Sequence, residues 1–358
     1  MAMLREKFPQ SHSEIQRSFV DGDYVILHVH AVRDPGTRGN AIVDIIAQSE
    51  EKFLVDEKII KGAMNLIDAD RAEHLYAAMG PAIEASGGSA ANTAAGVASF
   101  GGRAAYFGKV SNDHLGGIYT HDLRAANVHF ETAPLDGQPP TARSMIFVTP
   151  DGERSMNTYL GACVELGPED IDADVVAASA ITYFEGYLWD PPRAKEAIRL
   201  AAQIAHENDR DFSMTLSDSF CVDRYRGEFL ELMRAGTVDI VFANEAELHA
   251  LYETSSFEAA LEAFRADCRI GIVTRSEKGC VTVTREETHA IPAHGIDRLV
   301  DTTGAGDLFA AGFLHGLTTG RDLPDCARIG ALAAAIVIQQ VGPRPRESLK
   351  DALAQEGI

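Results

Sequence analysis

Asp301-Thr302-Thr303-Gly304-Ala305-Gly306-Asp307 runs directly into Leu308-Phe309-Ala310-Ala311-Gly312, an apolar stretch rich in small residues. Glycines just ahead of a helix let the backbone come close to a ligand, because no Cβ stands in the way. The first turn of a helix also presents N–H groups without intrahelical partners, at the end where the dipole favours negative charge. Gly304, Ala305 and Gly306 therefore predict an anion hole for a transferring phosphoryl group. Asp307 falls in the same turn, where its carboxylate can accept a proton from an attacking hydroxyl. Aspartate near a helix start is also common as a cap, so taken alone the residue fits both readings.

Around this string, strand-like and helix-like segments alternate from about Ala104 onward. Strands are expected at Ala180 to Phe184, Phe212 to Leu216, Asp239 to Phe242 and Arg269 to Thr274, with Cys280 to Thr284 as a hairpin partner. Helices are expected at Pro191 to His206, Arg224 to Arg234, Glu245 to Tyr252, Gly304 to Leu317 and Leu323 to Gln340. That rhythm predicts an α/β, doubly wound, mostly parallel sheet covered on both faces. Phe53 to Ile67 and Phe130 to Tyr159 instead alternate apolar and polar residues, with turns at Asp136-Gly137 and Asp151-Gly152. They predict a small β lid built from about residues 48–80 and 128–160.

The chain has 358 residues, enough for one large domain with a small appendage. Its 32 basic and 53 acidic residues give a formal net charge of −21, which argues against nucleic acid and anionic membrane as partners. The five cysteines, Cys163, Cys221, Cys268, Cys280 and Cys326, are scattered and never spaced C-x-x-C, so a reducing cytoplasm is expected. The N-terminus lacks the apolar segment of a signal peptide, and the apolar run 330–341 is too short to span a bilayer. There is no G-x-x-x-x-G-K-[ST], G-x-S-x-G or H-E-x-x-H.

Four further motifs accompany the first. Ser86-Gly87-Gly88-Ser89-Ala90-Ala91-Asn92 reads as a glycine turn opening a helix, and Gly39-Asn40-Ala41-Ile42-Val43-Asp44 sets an amide and a carboxylate four apart. Asn244-Glu245-Ala246-Glu247 puts Asn244 and Glu247 one helical turn apart. Thr274-Arg275-Ser276-Glu277-Lys278-Gly279 reads as a strand running into a turn. Each has an ordinary reading, as turn, cap or acidic first turn, if it stood alone.

In this order, over roughly residues 40 to 345, the motifs resemble those of the PfkB, or ribokinase-like, family of carbohydrate and nucleoside kinases. The resemblance implies a ribokinase-like fold, ATP and Mg²⁺ as cofactors, and Asp307 as the base beside the Gly304, Ala305 and Gly306 anion hole. It implies substrate binding by Asn40, Asp44, Gly87, Gly88 and Asn92, and nucleotide binding by Asn244, Thr274 and Gly279. Glu247 would organise water around Mg²⁺, and Asp301, Thr303 and Gly342 resemble positions around a monovalent cation, K⁺, in some members. Ser276 stands where many members have glycine.

The stretches 141–144, 154–158 and 185–189 resemble the adenosine-kinase-like branch, and Phe184, Tyr187 or Trp189 would suit stacking on a purine or, equally, packing in the core. The expected reaction is phosphorylation of a primary hydroxyl of a nucleoside, the 5′-OH of adenosine. The alternatives are a sugar kinase acting on ribose, fructose or a keto-sugar acid, and an impaired binding protein of the same fold. The expected partner is a small molecule, and a lid edge would allow a homodimer.

Residues 8–38 resemble instead a fragment of a polyketide-cyclase-like protein, so a junction is expected before a kinase domain at 39–358. The family's first strand would normally run into Gly39-Asn40, yet Arg33-Asp34-Pro35-Gly36-Thr37-Arg38 makes a poor central strand. Two placements are open: Tyr24 to Val32 fills the slot, or Gly36 to Gly39 is forced into it. The first is expected, because Pro35 has no N–H for a central ladder.

Overall fold

A computed structural model describes residues 24–28, 41–62, 64–151, 153–189 and 192–357. Its large sheet has nine strands. In spatial order they are β14 (Thr288–Ile291), β13 (Cys280–Val283), β12 (Ile270–Thr274), β11 (Ile240–Asn244), β10 (Asp211–Thr215), β9 (Ser179–Glu185), β1 (Tyr24–His28), β5 (Arg103–Phe107) and β6 (Val128–His129). From β12 to β6 every neighbour is parallel, and only the β12–β13–β14 edge is antiparallel. This is the α/β, mostly parallel sheet that the alternation predicts.

The helices are α1 (Glu51–Asp56), α2 (Ala69–Ala78), α3 (Ser89–Ser99), α4 (His114–Ala125), α5 (Ala173–Ala178), α6 (Pro192–Glu207), α7 (Ser219–Arg234), α8 (Glu245–Tyr252), α9 (Phe257–Asp267), α10 (Ala305–Thr318), α11 (Leu323–Val337) and α12 (Leu349–Glu356). Side-chain caps start several of them: Asp113, Asp218, Ser256 and Asp322 each accept from a backbone N–H three residues on. The Asp218 cap explains why α7 begins five residues before the expected Arg224, and a kink at Tyr225 falls just past that expected start. The run 330–341 lies largely in α11, whose Ile329, Leu332, Ala333 and Val337 are buried. Among the described residues no helix is long and apolar enough to cross a membrane. All five cysteines are free and buried.

The lid is a second sheet of five strands, in the order β3 (Met64–Leu66), β8 (Arg154–Tyr159), β7 (Ala142–Val148), β2 (Ile42–Gln48) and β4 (Ala82–Ser86). It differs from the expected 48–80 and 128–160 in three places. Residues 51–56 are helix α1 rather than strand, with Leu54 buried and Phe53 packed against Phe147. Val128 and His129 pair with β5 in the large sheet. The segments that carry Asp44 and lead into Gly87, β2 and β4, are lid strands paired with each other.

The central slot between β9 and β5 is filled by β1, in parallel register on both sides: Val25 faces Ala104 and Ile181, and Leu27 faces Tyr106 and Tyr183. That is the first of the two placements. Residues 33–38 and the rest of 1–38 lie outside the described residues.

Candidate active site

Two glycine-mediated contacts decide where the site forms. On α10, a Cβ at Gly312 would lie 2.6 Å from Ile329 O, so glycine lets α11 approach backbone to backbone. On α3, a Cβ at Gly96 would lie 2.6 Å from that of Ala311. The close packing sets the N-termini of α3 and α10 side by side. Gly304, at φ 80° and with Pro343 O only 2.7 Å from where a Cβ would be, starts α10, and the space above Gly306 is open.

Between these helix ends, the C-terminal ends of β10, β11 and β12 and the inner face of the lid lies a cleft of about 390 Å³. The body lines it with Gly88, Ser89, Asn92, Asn244, Thr274 and the whole stretch Thr302 to Asp307. The lid lines it with Ile42, Asp44, Ser144, Met156 and Thr158. The crevice beyond the carboxyl ends of a parallel sheet is where open α/β folds bind ligands.

Asp307 keeps partial exposure to the cleft. Ser89 Oγ donates to its Oδ1 at 2.6 Å and Asn92 Nδ2 to its Oδ2 at 3.0 Å. Burial raises its pKa, and these two bonds pull against the rise. Asp44, across the cleft on β2, rises to about 7 by burial, opposed by the charges of Arg344 and Arg154. Its Oδ2 lies 2.3 Å from where a Cβ of Gly87 would stand, so only glycine leaves room for that carboxylate. Gly88, at φ 92°, then begins α3.

Asp301 is buried and fully engaged. Oδ1 accepts from Thr303 N at 3.0 Å, and Oδ2 accepts from Gly342 N at 2.9 Å and from the Arg154 guanidinium. Arg154 also donates to Thr303 Oγ1 at 2.8 Å, so this lid residue bridges to the body. Asn244 and Glu247 form a capping box, Glu247 N donating to Asn244 Oδ1 while both Glu247 oxygens accept from Asn244. Burial lifts Glu247 to about 7.

The structure thus brings Asp44, Gly87, Gly88, Asn92, Asn244, Glu247, Thr274, Thr303 and Gly304 to Asp307 together at or beside one cleft. Gly279 is not at its lining: it turns the β12–β13 hairpin at φ 85°, with Ile291 O 2.0 Å from the place of a Cβ. Asn40 lies outside the described residues. Of the three aromatics, Phe184 and Trp189 are core residues, and only Tyr187 lines the cleft.

Sequence reasoning assigned no role to Ser89, Arg154 or Arg344. Ser89 stood inside a quoted motif as a filler position. Arg344 is half-buried behind the cleft, donating to Asn92 Oδ1 at 3.4 Å and to Ser86 Oγ. Its one signal was a charge in the loop Gly342-Pro343-Arg344-Pro345.

A family description, pfkB family carbohydrate kinase, matches residues 64–349. A solved structure of adenosine kinase from Sinorhizobium meliloti is 65% identical, with a TM-score of 0.85 over 93% of this chain and 99% of that one. A probable sugar kinase from Rhizobium etli is 63% identical, also at 0.85, over 94% and 98%. Adenosine kinase of Saccharomyces cerevisiae is 29% identical over 85% of this chain and 94% of its own length.

Proposed function

The chain belongs to the pfkB family of carbohydrate kinases, and from that premise we propose that it transfers the γ-phosphoryl group of ATP to the 5′-hydroxyl of adenosine. The observation that carries this reading is the convergence on one cleft of an acidic residue in a helix first turn, a glycine-flanked helix N-terminus and an opposing carboxylate. Asp44 and the glycine pair hold the ribose. Asp307 takes the proton of the attacking hydroxyl, and the amides of Gly304, Ala305 and Gly306 meet the charge that develops on the phosphoryl oxygens. Asn92 donates one amide N–H to Asp307 and keeps its second N–H for the sugar. Tyr183, Tyr187, Phe242 and Phe309 line the cleft with the flat apolar surface a purine needs.

Kinases of this family use ATP and Mg²⁺. Among the described residues no group of three His, Cys, Asp or Glu is set to hold a metal. That suits an Mg²⁺ bound mainly by phosphate oxygens and water. Glu247, each oxygen keeping a lone pair beyond the capping box, would hold one such water, and the ion would neutralise charge on the β- and γ-phosphates. Asp301, Thr303 and Gly342 do not fit K⁺ as arranged, because the Arg154 guanidinium already supplies the positive charge at that carboxylate. A homodimer through the lid would use the edge strand β4, whose Ile83 is exposed; light scattering tests it.

ADP release measured against a panel of nucleosides and sugars tests the reaction. Adenosine should give the highest kcat/KM. The 63% identity to a probable sugar kinase keeps a second reading, and a higher value for ribose, fructose or a keto-sugar acid would establish it. Binding without turnover by any of them would leave a binding protein.

A further inference from the structure

Resting on the reading of Asp307 as the base, we infer that Ser89 is its positioning residue, holding one carboxylate oxygen so that the remaining lone pairs face the acceptor hydroxyl. Ser89 is the first residue of α3, and Asn92 lies one turn later on the same face. Their donors reach Oδ1 at 2.6 Å and Oδ2 at 3.0 Å, so the carboxylate is gripped at both oxygens from one helix. Each oxygen accepts twice, which leaves room for the substrate proton.

The grip is itself anchored. Ala90 N donates to Glu185 Oε2 at 2.9 Å, which pins the first turn of α3 to the end of β9. Ala90 and Ala91 are fully buried, and Gly96 meets Ala311 at close range, so α3 cannot shift without disturbing α10. Arg344 donates to Asn92 Oδ1, which turns the amide nitrogen of Asn92 towards Asp307.

The other groups facing Asp307 do not replace Ser89. From β9 come Glu185, whose pKa burial holds well above the carboxylate range, and Tyr183, held well above the phenol range by burial and by Asp307 itself. Arg344 acts behind Asn92, and Asp44 and Glu247 line the same cleft from β2 and α8. Ser89 and Asn92 are therefore the groups that favour the ionised base. Without the Ser89 hydroxyl the base titrates at higher pH, and activity on the acid side is lost earlier as pH falls.

The test is the pH profile of single-turnover phosphoryl transfer in the full chain with ATP, Mg²⁺ and adenosine. Ser89→Ala should move the acid limb up by about one pH unit. On the acid limb it should lower the rate at a given pH about tenfold, and it should leave adenosine KM within about twofold. Ser89→Thr, which keeps the hydroxyl, should hold the limb where it is in the wild type. An unmoved limb in Ser89→Ala, with or without a uniform loss of rate, overturns the inference while the base assignment stands. Near wild-type turnover in Asp307→Asn would overturn the base assignment and this inference with it.

Discussion

Asp307 and Asp44 face each other across one cleft and are held in opposite ways. Asp307 belongs to the body: it sits on α10, clamped by Ser89 and Asn92 from a helix that packs against α10 through glycine. Asp44 belongs to the lid: it sits on β2, wedged against Gly87, and what lowers its pKa is the charge of Arg344 and Arg154. The carboxylate proposed as the base is thus fixed by hydrogen bonds within the core, and the one proposed to grip the substrate by where the lid lies. Chemistry and binding should respond separately to mutation, and the predictions probe that separation.

The largest effect is expected on the body side. Asp307→Asn should lower turnover by about 10²–10⁴-fold while adenosine binding, measured calorimetrically, changes little. Equal losses in binding and turnover would mean that the two carboxylates are not separable.

On the lid side, Asp44→Asn should raise adenosine KM about 10- to 100-fold with a smaller change in turnover, since it removes hydrogen bonds to a charged acceptor. Asp44 has a folded pKa of about 7 against an ordinary 3.8, so its ionised form, the one proposed to grip the sugar, is populated only as pH rises through about 7. Binding should tighten over that interval in the wild type and lose this dependence in the variant. The stability contribution runs the other way. Between about 4 and 7 the folded chain keeps the Asp44 proton that the unfolded chain has released, so unfolding free energy falls as pH rises through that window. Denaturant titrations of wild type and Asp44→Asn over that range measure the difference.

The bridge between the two regions is Arg154. Arg154→Met should lower turnover about tenfold by leaving the buried Asp301 unpaired and the lid untied. The vacated carboxylate then suits a monovalent cation, so the variant should be faster in K⁺ than in Na⁺, whereas the wild type should show the same rate in both. Stimulation of the wild type by K⁺ would show that Arg154 does not fill the place of the ion.

The same division explains what the sequence revealed. The string 301–312 was legible because its chemistry is local: glycines, a helix start and an acidic residue within one turn. The alternating strands and helices of the body were legible because period and caps are local too. The lid was legible in part: β3, β7 and β8 fall inside the expected ranges, whereas β2 and β4 acquire their partners from residues 35 to 100 positions away, and α1 turns in only Phe53 and Leu54. Ser89 and Arg344 were hidden for the same reason, since their partners lie 218 and 252 positions away in the chain. Phe184 and Trp189 could not be told from Tyr187, because nothing local separates an aromatic that faces a core from one that faces a cleft.

The smallest expected effect concerns the strand that joins the two regions. β1 fills the central slot of the body sheet, and the chain from its end at His28 leads to the lid strand that carries Asp44. Val25, Ile26 and Leu27 suit that slot by β propensity, and an empty slot would leave backbone groups of β5 and β9 unpaired. We propose that residues 1–38 are a fused fragment, on the strength of their likeness to a polyketide-cyclase-like sequence and of Pro35 and Gly36 where the family has apolar strand. A fragment selected for another fold should serve the slot less well than a strand shaped for it. Replacing residues 1–38 with a short Val/Ile-rich strand before Gly39 should therefore raise the thermal midpoint by roughly 1–2 °C, the effect of about 1 kcal/mol in a chain of this size. It should also tighten adenosine binding, because Asp44 follows within a few residues. The exchange should leave the single-turnover rate at saturating adenosine unchanged, because Asp307 is held from α3 and α10 and not from β1. If neither the midpoint nor the affinity moves, the N-terminus is a natural arm, and the lid carboxylate is placed as firmly as the one in the body.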